Sequence, residues 1–385
     1  MAFLNAAYWA ACLRRTLVAP AVVVPRASDP EVSWRLADLV PYDSVYLVAP
    51  SGGGGGIAIP YCGGGRVRVE ALEAFARRGL RPERVLDVHA PLASDSLTDA
   101  FFDTTLGWGS VPRENLTGSG LCDGAISRRA LRSVLGRNPE RVLALNGMYR
   151  CRLADSPGRL DRIRRAFLRP APAVDAVRRA VLGRLGARED TDDEAGVRCG
   201  GEGRMCVQLR LGDFSDMCRL DLAWMRKRRA EGSACQPSSR RVRSVVAGWR
   251  GGCVLVLTND EGTAEEVLGL DDSDGGNSSN LMRSRGGSNS SGNSSGDGDS
   301  GLEGKQLLMG SDLLEMLSEP PAANLSETAG MQPGRRTRMW QALAVLVVEQ
   351  AACVGSARAV LNRFSTFGET VAFQRQAEGR ETAWW

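Results

Sequence analysis

The chain has 385 residues, of which 43% are hydrophobic, and this is enough for two globular domains of ordinary size. Its formal net charge is only +4 and its arginines are scattered instead of forming one basic stripe, so a nucleic-acid partner is not expected. The longest apolar run, Met339 to Val348, ends at Glu349 and is too short to cross a bilayer.

The first half of the chain alternates short apolar runs with helical patterns. The periodicity predicts an apolar helix over 2–13 and a second helix over 69–78 that stops at Gly79. Two basic amphipathic helices are expected within 158–188, interrupted near Pro170 and Pro172. Short strands are predicted between these helices, at 16–24, 85–88 and 142–145.

The second half repeats a rhythm of strands and helices. A tract rich in Ser, Gly, Asn and Asp, 271–304, interrupts it and is predicted to be disordered. Strands are predicted at 205–209, 253–257, 306–309 and 357–361. Helices are predicted at 240–249, 263–268, 311–317, 337–353 and 368–374.

Strands that alternate with helices imply a parallel sheet and therefore the α/β class. The rhythm occurs once in each half, and an acidic loop at 189–194 marks the boundary between them. We therefore expect two Rossmann-like domains, 1–188 and 189–385, that face a central cleft. Ligands of such sheets bind beyond the carboxyl ends of the strands.

The chain contains ten cysteines and one histidine, His89. No two cysteines have the C-x-x-C spacing of a metal site, and so many cysteines are typical of disulfide-bonded proteins of the secretory pathway. We expect the lumen of the endoplasmic reticulum or Golgi. Five N-x-S/T sequons agree with this compartment: Asn115, Asn277, Asn289, Asn293 and Asn324.

The strand predicted at 205–209 runs directly into a charged segment, Val207-Gln-Leu-Arg-Leu-Gly-Asp-Phe214. A guanidinium at a strand end can bind a diphosphate with fork geometry and stays charged throughout. As a leaving diphosphate gains charge, that contact strengthens in the transition state. The alternative is an ordinary surface salt bridge between Arg210 and Asp213.

This segment resembles the His-x-Arg-x-Gly-Asp-Phe segment of the GDP-fucose protein O-fucosyltransferases. Arg210, Gly212 and Asp213 match it, and Gln208 stands where the family has histidine. The stretch 347–367 resembles a second segment of the same family, except for Leu361, where relatives have glycine. The matching residues of that segment and just beyond it are Glu349, Gln350, Cys353, Ser365, Thr366, Phe367 and Arg375.

Two further stretches resemble this family. The strand 254–260 contains Thr258 and Asn259, and the equivalent strand in relatives ends near the nucleotide base. Residues 5–20 resemble the family's opening helix and the strand that follows it, and Asn5 is the one match to the loop before that helix. We therefore expect the chain to begin inside its first domain.

The resemblance implies a GT-B glycosyltransferase that transfers fucose from GDP-fucose to a Ser or Thr hydroxyl of a protein, with inversion and without a metal or other cofactor. Domain 1–188 would be the acceptor side and 189–385 would bind the GDP-sugar. Arg210 would neutralise the departing GDP, with Gly212 and Asp213 beside it. The remaining roles implied are phosphate binding by Ser365 and Thr366, packing against the nucleotide sugar by Phe367, proximity to guanosine for Thr258 and Asn259, and approach to the acceptor for Asn5.

Two other functions remain open. A degenerate member that binds a nucleotide sugar or a glycan without catalysis would account for Gln208 and Leu361. A GT-B enzyme that uses another sugar nucleotide would carry the same phosphate-binding residues. The D-x-D sequences at 190–192, 272–274 and 297–299 lie in polar loops, so they are not expected to bind a metal.

Overall fold

The structure is a computed structural model, and it describes only part of the chain. The described residues are 2–19, 40, 45–46, 57–58, 66–88, 107, 109–116, 128–136, 140–146, 170–187, 201–211, 218–219, 223–270, 302, 305–318 and 335–385. The chain divides into two compact units. One comprises Met1–Asp175 with Ser326–Leu343, and the other comprises Ala176–Leu325 with Ala344–Trp385.

Among its described residues, the first unit contains three small sheets. Strands β1 (Leu17–Ala19) and β4 (Val69–Ala71) are parallel, and β2 (Ile57–Ala58) and β3 (Arg66–Val67) form an antiparallel pair. The third sheet is parallel, with β5 (Arg84–Asp87) between β6 (Arg113–Asn115) and β7 (Leu143–Asn146). The helices described wholly within this unit are α1 (Ala2–Leu13), α2 (Leu72–Arg77) and α3 (Arg128–Val134).

The second unit is built on a five-stranded parallel sheet. Its strands are β8 (Arg204–Leu209), β9 (Cys253–Thr258), β10 (Gln306–Leu308), β11 (Arg358–Leu361) and β12 (Ala383–Trp384), which lie in the order β10-β9-β8-β11-β12. Every residue of β8 is buried, as expected for a parallel strand covered on both faces. The core on either side of it is formed mainly by valine, leucine and methionine.

The remaining helices follow in chain order. They are α4 (Pro172–Ala187), α5 (Ala223–Ala230), α6 (Ser239–Ala247), α7 (Glu261–Leu268), α8 (Gly310–Ser318), α9 (Arg335–Gly355) and α10 (Thr366–Ala377), with a short 3-10 turn at Gly201–Gly203. Pro172 begins α4, where its missing N–H costs nothing and its ring favours the helical φ.

Strand order fixes where this sheet can bind a ligand. The chain moves from β8 outward to β9 and β10, and later returns to the other side of β8 as β11 and β12. This is the order of the dinucleotide-binding fold, and the reversal of direction leaves a crevice beyond the carboxyl ends of two neighbouring strands. In this sheet those neighbours are β8 and β11.

Most of the predicted elements of the second unit are confirmed to within a few residues, and so is the helix over 2–13. The helix predicted over 69–78 is wrong in its first turn, because Val69–Ala71 is a strand that pairs with β1. The sequence did not indicate β2, β3, β6, β12, α3 or α5. Of the tract 271–304, the structure describes Leu302, which is buried in the core of the second unit and is therefore not disordered.

Two disulfides join parts of the second unit that are distant in sequence. Cys206 of β8 is bonded to Cys353 of α9 across 147 positions, and Cys218 is bonded to Cys235 across 17 positions. Cys12 and Cys253 are also disulfide-bonded. The first bridge links the two segments that carry the family resemblance. The disulfides agree with the expected oxidising compartment.

Candidate functional site

Arg210 lies directly beyond the carboxyl end of β8, beside the crevice between β8 and β11. It is half-buried. The next residue is held from the β9 side, because the Asn259 side chain accepts a hydrogen bond from Leu211 N at 2.9 Å and donates one to Leu211 O at 2.8 Å. This pair of bonds fixes the backbone of Leu211, directly after Arg210.

Thr258 and Asn259, the residues predicted to lie near the nucleotide base, also form hydrogen bonds at the carboxyl end of β9. Thr258 Oγ1 donates to Asp260 O at 3.0 Å and accepts from Asp260 N at 3.1 Å. Asp260 caps α7 by accepting from Thr263 N at 3.1 Å and from Thr263 Oγ1 at 2.8 Å. These bonds to Thr263 lower the pKa of the Asp260 carboxyl. Proximity of Thr258 and Asn259 to guanosine stays a prediction.

On the other side of the crevice, the chain leaves β11 and turns into α10. Asn362 is buried and shapes this turn, because its Nδ2 donates to Cys235 O at 2.7 Å and its Oδ1 accepts from Phe364 N at 2.8 Å. Ser365 is the N-cap residue of α10 and is only 9% exposed. The N-terminus of α10 therefore lies at the same sheet edge as Arg210. A helix N-terminus offers backbone N–H groups and partial positive charge to an anion.

A buried arginine from α5 contacts this turn. Arg228 forms an ion pair with Glu369, in the first turn of α10, and its guanidinium carbon lies 5.9 Å from the centroid of the Phe364 ring. Arg228 therefore offsets the negative charge of Glu369 at the N-terminus of α10.

The other predicted site residues are distributed as follows. Thr366 begins α10 and Phe367, partly exposed, follows it. Gly212 and Asp213 lie outside the described residues, and Asn5 lies within α1, in the other compact unit. The structure thus brings Arg210, Asn259, Ser365 and Thr366 to one edge of one sheet. Their individual roles stay predictions.

The sequence did not indicate that Asn362 and Arg228 contact the turn into α10, or which groups Gln208 would bond to. Gln208 was noticed only as a departure from the family. The structure shows it buried, with Nε2 donating to Ser365 Oγ at 3.0 Å and Oε1 accepting from Asn362 N at 3.3 Å. A polar residue inside an apolar strand was the available signal, because buried polar groups require hydrogen-bond partners.

Arg375, which matches a family arginine, is fully buried below the site. Its Nη1 donates to the carbonyls of Cys353, Val354 and Ser356 at 3.1, 3.0 and 2.6 Å. Cys353 and Val354 carry two of the last carbonyls of α9, which have no i+4 partner inside the helix, and Ser356 directly follows the helix. Burial lowers the pKa of Arg375, and the charge of Arg380 lowers it further. The contacts identify Arg375 as a residue that stabilises the C-terminus of α9.

A carboxyl pair lies near the start of α8. Glu349 of α9 is 8% exposed, and burial raises its pKa to about 7, with a further contribution from the charge of Glu261. A Cβ added to Gly310 would lie 2.8 Å from Glu349 Oε1 and 3.4 Å from Glu261 Oε1. The glycine therefore provides space for both carboxyls.

This pKa predicts how stability depends on pH. The folded state binds the Glu349 proton more tightly than the unfolded state, so the stabilisation is complete below about pH 4.5 and is lost as the pH rises through about 7. We expect Glu349→Gln to raise the free energy of unfolding at pH 8 by about 2 kcal/mol and to change it little at pH 5. Urea denaturation at both pH values measures this. The expectation is wrong if the variant is equally destabilised at both.

Solved structures with a similar fold were found over the whole chain. The crystal structure of POFUT1 in complex with GDP aligns with a TM-score of 0.52 and 14% identity, covering 100% of this chain and 93% of that chain. POFUT1 (GDP-fucose protein O-fucosyltransferase 1) in complex with GDP-fucose aligns with a TM-score of 0.50 and 12% identity, with the same coverage. At such identity the likeness concerns the fold: an α/β protein with parallel sheets.

No family model and no curated protein sequence matches the chain. Within the ranges that the structure describes, no helix is both long and apolar enough to cross a membrane. In the same ranges, no group of three or more His, Cys, Asp or Glu residues is arranged to hold a metal ion.

Proposed function

We propose that the chain is a glycosyltransferase that transfers fucose from GDP-fucose to a Ser or Thr hydroxyl of a protein. The observation that carries this proposal is the strand order of the second unit, which brings the ends of the two family-like segments together at the crevice between β8 and β11. A crevice of this kind is where a sheet of this order binds a nucleotide. The fold of the GDP-fucose complex of POFUT1 is similar.

In this proposal the GDP diphosphate lies between Arg210 and the N-terminus of α10. The bond between C1 of fucose and the β-phosphate oxygen breaks, and its electron pair remains on that oxygen. Arg210, with its backbone fixed through Leu211 and Asn259, stabilises the added negative charge. The hydroxyl oxygen of the acceptor attacks C1 from the opposite face and its proton passes to a base or to solvent water, so the configuration inverts. The resemblance implies that no metal is required for this step.

The wider arrangement is part of the same proposal. The two units would form a GT-B enzyme, in which 1–188 provides the acceptor side with Asn5 and 189–385 provides the donor side. Gly212 and Asp213 would complete the loop after Arg210, while Phe367 would pack against the nucleotide sugar. The disulfides and the exposed sequon at Asn115 support a place in the secretory lumen.

Nucleotide preference tests the donor. A ligand that binds only the folded chain stabilises it by about 2.7 kcal/mol at a concentration of 100 Kd. We expect GDP and GDP-fucose to raise the Tm in a thermal-unfolding experiment and UDP at the same concentration to leave it unchanged. Stabilisation by UDP and not by GDP would indicate another sugar nucleotide.

A transfer assay with labelled GDP-fucose separates the enzyme from the second candidate, a non-catalytic binder. The buried Leu361 and Gln208 are the residues that favour that candidate, because both depart from the family beside the donor site. Stabilisation by GDP without hydrolysis of GDP-fucose or transfer to a secretory protein acceptor would favour binding alone. Transfer of label to acceptor hydroxyls would support the enzyme.

A further inference from the structure

Gln208 is a polar residue inside an apolar and fully buried strand. It is 5% exposed, and all the other residues of β8 are buried too. An unsatisfied amide at such a position would be costly. Its amide is instead bonded on both sides to the turn between β11 and α10, to Asn362 N at 3.3 Å and to Ser365 Oγ at 3.0 Å. A residue of β8 therefore controls the geometry of the turn at the donor site.

The direction of these two bonds is fixed by chemistry. The backbone N–H of Asn362 can only donate, so the amide oxygen of Gln208 must face it. The amide nitrogen then faces Ser365 and donates to its hydroxyl oxygen. Because that oxygen already accepts a hydrogen bond from Gln208, the hydroxyl can donate its own hydrogen to a different acceptor. Ser365 is thereby prepared to act as a donor.

The same bond changes the capping of α10. Two other helices of the second unit, α6 and α7, have side-chain N-caps. Ser238 Oγ accepts from Arg241 N at 3.3 Å, and Asp260 Oδ1 accepts from Thr263 N at 3.1 Å. The N-cap side chain of α10, Ser365, makes no such bond. Its hydroxyl is directed to Gln208 instead. The N–H groups of the first turn therefore do not use the Ser365 side chain as an acceptor, and the Ser365 carbonyl accepts the ordinary helical bond from Glu369 N at 3.0 Å.

The neighbouring glycine shows that the site is shaped around this amide. A Cβ at Gly368 would lie 2.4 Å from Gln208 Oε1 and 2.5 Å from Asn362 O. Any larger residue would displace one of these groups. The absence of a side chain at Gly368 thus makes room for the Gln208 amide directly under the first turn of α10. The geometry of this turn therefore depends on the contacts among four residues: Gln208, Asn362, Ser365 and Gly368.

We propose that Gln208 is a positioning residue for the diphosphate. It draws the Ser365 hydroxyl away from the helix cap, turns the hydroxyl proton toward the ligand, and leaves the first N–H groups of α10 for phosphate oxygens. This inference rests on the proposed function, because it requires GDP at the crevice between β8 and β11. It assigns a specific task to a residue that departs from the family.

The test compares GDP with guanosine, which lacks the phosphates, by calorimetric titration. Gln208→Leu allows the Ser365 hydroxyl to cap α10, so we expect its Kd for GDP to rise roughly 10-fold while its Kd for guanosine is unchanged. Ser365→Ala should also weaken GDP binding. In that background Gln208→Leu should have little further effect, because the two residues act through one bond. Gln306→Leu, the same change in β10 of this sheet, is the control and should leave both constants unchanged.

A second variant, with a side chain of the same shape, distinguishes loss of the hydrogen bond from misfolding. Gln208→Glu keeps the shape of the side chain, but an ionised carboxylate accepts a hydrogen bond from the Ser365 hydroxyl, so GDP binding should again fall more than guanosine binding. Equal losses for GDP and guanosine, or losses that add fully to those of Ser365→Ala, would overturn the inference. So would unchanged GDP binding by both Gln208 variants when the wild-type chain binds GDP. A wild-type chain that does not bind GDP would overturn the proposed function itself.

Discussion

Replacing Arg210 by alanine is expected to lower the rate of fucosyl transfer by about 10²–10³, the usual effect of removing one donor that stabilises charge in the transition state. Arg210 lies at the end of β8, and its neighbour Leu211 is held at 2.9 and 2.8 Å by Asn259. These bonds fix the backbone next to Arg210, so little backbone reorganisation is needed as the diphosphate departs. The variant should show a larger loss in kcat than in affinity for GDP-fucose, because the contact strengthens in the transition state.

Arg240→Ala is the matched control. Arg240 is an exposed arginine of α6, so its removal changes the net charge equally and should leave kcat within about twofold of the wild-type value, as surface changes usually do. Near-normal transfer by Arg210→Ala, with Arg240→Ala also normal, would remove Arg210 from the mechanism. A fall in kcat in both variants would point to net charge as the cause.

The second large effect is on stability. Arg375→Met should lower the free energy of unfolding by roughly 3–5 kcal/mol, because it removes a charged donor from five carbonyls, of which Val354 O is one and Glu381 O another. Arg375 is 0% exposed and also donates through Nη2 to Glu381 O at 2.8 Å. Lysine could restore only part of this, since an ammonium cannot present the same planar set of donors. Urea denaturation of the variant and of the wild-type chain in the same buffer measures the loss.

Arg358→Met serves as the control for this change. Arg358 is exposed at the start of β11, so its replacement should alter the free energy of unfolding by less than about 0.5 kcal/mol. A loss below 1 kcal/mol in Arg375→Met would mean that the carbonyls at the end of α9 find other partners. Arg204 is one neighbour that could supply them, since its Nη2 already donates to Ala352 O at 3.0 Å.

The strands of the second unit could be predicted well because burial on both faces selects continuous apolar runs. Residues 253–257 show this, and β9 spans Cys253–Thr258. Periodicity could not distinguish the two structures at Val69–Ala71, where a short strand runs into a helix and the apolar positions fit both patterns. The pairing with β1 decided between them, and pairing across 52 positions leaves no local signal.

The candidate site was predictable in its residue types and not in its geometry. Arg210 and Ser365 were found by family resemblance, and the predicted parallel sheet put both at strand ends. The order of the strands, which makes β8 and β11 neighbours, depends on the packing of the whole sheet. The bond between Gln208 and Ser365 joins residues 157 positions apart. Neither composition nor residue spacing indicates that contact, so the bond between Gln208 and Ser365 could be identified only from the structure.

A crystal structure of the chain with GDP bound would show where the diphosphate lies. We expect it at the crevice between β8 and β11, with the Arg210 guanidinium and the N–H groups at the start of α10 within hydrogen-bond distance of its oxygens. GDP bound away from this crevice, or bound there with its phosphates directed away from Arg210, would contradict this expectation.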